Sequence, residues 1–77
     1  MKQLKINQKL EVEIHSGTYE GKYLSKVADI IEAGIVITGL YREGAPLPVR
    51  LQQRITIYFT TDRAAYKFNS KILKRAN

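Results

Sequence analysis

The chain contains no cysteine, one histidine and two prolines in 77 residues. Without cysteine there is no disulfide framework, no thiolate nucleophile and no cysteine-based zinc site. A single His15 leaves any metal site dependent on two or more converging carboxylates, and no spacing supplies them. No run approaches the roughly 18 apolar residues of a membrane span. The opening Met1-Lys-Gln-Leu-Lys-Ile-Asn7 lacks the apolar stretch and small-residue cleavage site of a signal peptide, so a cytoplasmic location is expected. At 8.8 kDa the chain is one small domain, too short for a two-lobed enzyme with a large cleft.

Acidic residues are also scarce: seven Asp and Glu face thirteen Lys and Arg, a net charge of +6. Residues 1–38 are balanced, with five of each sign, so the entire excess lies in residues 39–77. Such a bias suits a nucleic acid, an acidic protein surface or a phosphorylated ligand, and equally suits simple solubility. Within that half, Arg63, Lys71, Lys74 and Arg75 form the expected basic surface, weighed about evenly against plain solvated charge.

Period-2 alternation runs through the chain and predicts an all-β domain. Leu10, Val12 and Ile14 alternate with Lys9, Glu11 and Glu13 in a first strand. Ser16-Gly17-Thr18-Tyr19-Glu20-Gly21 is the connection. A second strand extends from Lys22 to Ile31, and its end, Ala28-Asp29-Ile30-Ile31, breaks the alternation, which predicts a bulge or bend. Glu32-Ala33-Gly34 turns into a third strand, Ile35 to Thr38. Gly44, Pro46 and Pro48 exclude a central strand from Gly39 to Val49 and leave a loop or an edge strand near Leu47–Val49. Ile55, Ile57 and Phe59 define a fourth clear strand, Arg54 to Thr61. The last carries Tyr66, Phe68, Ser70 and Ile72 on one face, against Lys67, Asn69 and Lys71. Five or six short strands at this spacing predict a small antiparallel β-barrel, whose closure would remove exposed edges.

Little in this pattern carries catalysis. Ser16, Ser25 and Ser70 have no base but His15 and no nucleophile-elbow sequence around them. Glu11 and Glu13 point to the same outer face of one strand, a solvated arrangement rather than a pair across a cleft. Gly17-Thr-Tyr-Glu-Gly21 lacks the Gly-Lys-Ser/Thr ending of a phosphate loop and precedes a strand. The expected protein is not an enzyme. Of the seven aromatic residues, Phe59, Tyr66 and Phe68 share faces with isoleucines and read as core. Tyr41 and Tyr58 alone make a poor stacking platform, so a free-standing barrel that binds single-stranded nucleic acid is the alternative, not the leading reading.

The segments Lys9-Leu-Glu-Val-Glu-Ile14, Gly21-Lys-Tyr-Leu-Ser-Lys-Val-Ala-Asp-Ile30, Ile35-Val-Ile37, Leu47-Pro-Val-Arg-Leu51, Ile55-Thr-Ile-Tyr-Phe59 and Ala65-Tyr-Lys-Phe-Asn-Ser-Lys-Ile-Leu73 follow one order. That order resembles the N-terminal domain of flagellar brake (YcgR-like) proteins, which precedes a PilZ domain. The resemblance implies a barrel of PilZ-like, split-barrel topology that serves as a regulatory and interaction module. It further implies that residues 1–77 are the front part of a longer two-domain protein. The partners implied are the adjacent PilZ domain and a flagellar motor protein. The cofactor implied is cyclic di-GMP, bound by the full-length protein through an Arg-x-x-x-Arg stretch and an Asp/Asn-x-Ser/Ala-x-x-Gly turn, with none held by this chain. Arg50-Leu-Gln-Gln-Arg54 fits the first pattern, and Asp29-Ile-Ile-Glu-Ala-Gly34 fits the second apart from Ile31. Their order is reversed, and both matches are read as coincidental.

Overall fold

Alternation commits Lys9–Ile14 to a strand, β1, with Leu10, Val12 and Ile14 buried on one face. A computed structural model describes residues 4–74, among which no helix occurs. After β1 come β2 (Gly21–Ile31), β3 (Gly34–Ile37), β4 (Tyr41–Arg42), β5 (Ala45–Pro46), β6 (Arg54–Thr60) and β7 (Ala65–Lys71). Five of these build one antiparallel sheet in the order β3-β2-β1-β6-β7, while β4 and β5 pair separately.

Register explains how the core closes. Val12, with no exposed surface, lies opposite Tyr23 on β2 and Ile57 on β6, and Ile57 lies opposite Phe68 on β7. One row of side chains thus crosses four strands on the inner face. Phe59 stacks on its cross-strand partner Tyr66 at 4.9 Å between ring centres and meets Phe68 edge-on at 6.3 Å. Leu4 and Leu40 cover this face from outside the sheet, with Leu47 and Val49 half-buried against the same cluster. Each fully buried aliphatic or Phe side chain contributes roughly 1.5–3 kcal/mol, so the inner face carries the stability of the domain.

The irregularity expected at the end of the second strand is a bulge. Val27 pairs with Ile37, but Asp29 pairs with Val36, leaving Ala28 as the extra residue. Strict alternation after Val27 would turn Asp29 toward the core side; the extra residue instead places Asp29 opposite the exposed Val36 and pairs Ile30, itself 43% exposed, with the half-buried Ile35. The bulge therefore keeps a charge out of the interior while bending the sheet.

The expected antiparallel, five-stranded all-β architecture is present as a sheet curled into a half-barrel. Its ladder ends at β3 and β7, so closure does not remove these edges among the described residues. Other means protect them: β3 is only four residues long, and β7 carries Lys67 and Lys71. No strand forms over Leu47–Val49. Between Gly39 and Val49 the chain forms the β4–β5 hairpin, Tyr41 opposite Pro46 and Arg42 opposite Ala45, and the Leu47 N–H donates to the Leu40 carbonyl at its base at 2.9 Å. Its two-residue turn has Glu43 at φ 52° and Gly44 at φ 83°, the left-handed pair that a tight hairpin requires.

Candidate functional site

Of the four residues expected to form a basic surface, Arg63, Lys71 and Lys74 lie among the described residues. Arg63 lies in the turn between β6 and β7, where the Thr61 hydroxyl accepts its backbone N–H at 3.2 Å. Lys71 closes the other end of β7, opposite Arg54. Seven residues of extended chain separate the two, about 20 Å or more at 3.3 Å per residue. Lys74 borders a groove of about 540 Å³ shared by Ile37, Leu40, Tyr41 and Ile72. Arg75 falls outside the described residues. Arg50 and Arg54 also part company. Arg50 lines a cavity of about 290 Å³ with Ser16, Thr18 and Gln53, whereas Arg54 begins β6 on the outer face of the sheet.

That outer face holds a network of side-chain hydrogen bonds. Thr56 points away from the core yet is only 3% exposed. Its hydroxyl donates to Asn69 Oδ1 at 3.0 Å and sits 2.7 Å from His15 Nε2. A hydroxyl has one proton; with Asn69 accepting it, the His15 contact is Nε2–H donating to Thr56 Oγ1. His15, expected as a solvent-facing residue at a strand end, is exposed but tied to the sheet.

One register step away, the Tyr58 hydroxyl donates to Glu13 Oε1 at 2.5 Å, and the Lys22 ammonium lies 4.6 Å from the centre of the Tyr58 ring. The hydrogen bond from Tyr58 holds the Glu13 carboxyl below its ordinary range. Burial opposes that shift, while the positive charges of His15, Lys22 and Lys67 assist it. The same bond raises Tyr58, because its neutral form is the donor; burial and the charges of Glu13 and Glu11 push it the same way. Glu13 is thus on the outer face, as expected, but held by a partner rather than merely solvated.

Sequence reasoning missed the role of Thr56, and only the pairing register could have revealed it. Thr56 lies opposite Glu13 on β1 and Asn69 on β7, residues 43 and 13 positions away. Among the described residues, no group of three or more His, Cys, Asp or Glu side chains could hold a metal ion. No helix long and apolar enough to cross a membrane occurs among the described residues. The aromatic side chains Phe59, Tyr66 and Phe68 pack on the inner face, as expected.

A family model, PilZNR, described as flagellar protein YcgR, matches residues 5–77. No curated protein and no solved structure matches the chain. The family match spans all seven strands, both faces of the sheet and every loop between them. The chain belongs to the PilZNR family, the N-terminal domain of flagellar protein YcgR.

Proposed function

We propose that this chain is a non-catalytic regulatory and interaction domain of a cyclic di-GMP receptor that controls flagellar motility. On this reading the domain is cytoplasmic, packs against a PilZ domain that follows it, and presents a surface to a motor protein. The dinucleotide site lies mainly in that PilZ domain. The observation that carries the reading is family membership over residues 5–77. The placement of Arg50 and Arg54 accords with it: a cavity between loops receives one, and a strand on the outer face receives the other, so they do not grip one ligand. The nucleic-acid alternative has little to stack on: Tyr41 is exposed on the separate β4–β5 hairpin, and Tyr58 is tied to Glu13 with the Lys22 ammonium near its ring.

The test begins with the encoded frame beyond Asn77. The reading expects Arg-x-x-x-Arg followed by an Asp/Asn-x-Ser/Ala-x-x-Gly turn. Swimming speed is then measured in cells with raised cyclic di-GMP, expressing either the whole frame or the frame lacking residues 5–74. Loss of slowing in the deletion supports an essential regulatory role. A stop codon after Asn77, or slowing that persists without the domain, overturns it.

A further inference from the structure

The sequence places all the excess charge in the second half of the chain, but the fold does not keep it there. Alternation along β2, β1, β6 and β7 sends Lys22, Lys26, Lys9, Arg54, Lys67 and Lys71 to the same outer face. Three come from each half. All six are exposed, and the carboxylates that share the face are Glu11, Glu13 and, beyond the bulge at the far end of β2, Asp29. Glu13 is already engaged by Tyr58.

Two cross-strand pairs oppose like charges: Lys9 faces Lys26 and Arg54 faces Lys71. Like charges directly opposite each other destabilise a sheet, so neither pair is explained by folding. Leu24, also on β2, is 81% exposed, the largest exposed fraction among the large hydrophobic side chains described. It lies opposite Glu11, which in turn faces Tyr58. An apolar side chain therefore stands within a rim of cations on a face about 14 Å across four strands and about 20 Å along them.

We propose that this outer face of β2-β1-β6-β7 docks an acidic protein surface, with Leu24 entering an apolar recess of the partner and the six Lys and Arg side chains meeting its carboxylates. Charge complementarity selects an acidic occupant. Leu24 selects a protein rather than a polyphosphate: an apolar side chain 81% exposed at this place offers nothing to a phosphate backbone but fits an apolar recess. The assignment rests on the interaction-domain reading but specifies a face that the reading leaves open.

The experiment uses the whole 77-residue chain, labelled with ¹⁵N. The probe is a synthetic amphipathic helical peptide rich in Asp and Glu, with leucines at i, i+3 and i+4 spacing. A single-stranded oligonucleotide and anionic phosphatidylserine vesicles serve as competitors. The expected result is amide shift changes confined to β2, β1, β6 and β7, with affinity falling severalfold between 50 and 200 mM salt. Leu24→Asp weakens binding about tenfold, and Lys26→Glu with Lys67→Glu abolishes it, while the spectra of the variants remain those of a folded chain. Shifts on another face, or an unchanged affinity in Leu24→Asp, overturn the assignment. Tighter binding of the oligonucleotide or vesicles to the same face also overturns it and assigns the face to that ligand. Any of these results leaves the swimming assay free to decide the regulatory reading separately.

Discussion

Replacing Thr56 by valine keeps the shape of the side chain and removes only its hydroxyl. That hydroxyl joins His15 on one side to Asn69 on the other. Each net hydrogen bond contributes about 0.5–1.5 kcal/mol. The partners lost in Thr56→Val are both exposed side chains that water can satisfy, so no buried group is orphaned. The added methyl occupies a site only 3% exposed and suits a strand, which offsets part of the loss. The expected net cost is about 1 kcal/mol. For a chain of 77 residues the unfolding entropy is about 0.16 kcal/mol per degree, so Tm falls by about 6 °C. Thermal denaturation followed by circular dichroism measures this in the single variant, in His15→Ala and in the double variant. The cycle should show a coupling of about 0.5–1 kcal/mol, since each change removes the same contact. Additivity within about 0.3 kcal/mol would refute the claim that Thr56 holds the imidazole.

Truncating the central core residue, Val12→Ala, should cost about 2–3 kcal/mol and lower Tm by about 15 °C, because the site has no exposed surface and neighbours on both sides. Chemical denaturation gives the value directly. Tyr58→Phe should flatten the pH profile of stability at both ends. Glu13 is depressed in the folded state, so its share is present above its ordinary value of 4.5 and is lost as pH falls through the folded value. Tyr58 is raised, so its share is present below its ordinary value of 10.0 and is lost as pH rises through the folded value. Urea midpoints measured from pH 3 to 11 in both proteins test this. Glu43→Asn should raise Tm by a few degrees, since asparagine tolerates the left-handed conformation better than glutamate at the first turn position of the β4–β5 hairpin. A lower Tm would show that the Glu43 side chain has a role beyond the turn.

The strands were legible in the sequence wherever a polar–apolar rhythm persisted for at least four residues. Leu10-Val12-Ile14 and Ile55-Ile57-Phe59 mark their inner faces without help from tertiary context. The bulge at Ala28 was legible for the same reason, as a break in that rhythm. The β4–β5 hairpin was not, because two residues per strand carry no period and Pro46 argues against a ladder. The surface was the least legible part. Which cations become neighbours depends on register: Lys9 meets Lys26 across 17 positions and Arg54 meets Lys71 across the same number. The run toward the C-terminus looked like one basic cluster, yet the strand itself carries Arg63 and Lys71 to opposite ends.

The position of β1 in the middle of the sheet governs how the domain can assemble. The β1–β2 and β6–β7 hairpins are each local, joined by loops short enough to close in well under a microsecond. Joining them is not local. Ile14 must find Ile55 across about 40 intervening residues, at a closure entropy of roughly 3 kcal/mol, before the row from Tyr23 to Phe68 exists to offset it. Until that seam forms, each hairpin exposes one hydrophobic face and one unpaired edge. Folding should therefore be limited by the β1–β6 encounter, on the millisecond-to-second scale of other sheets rich in distant contacts.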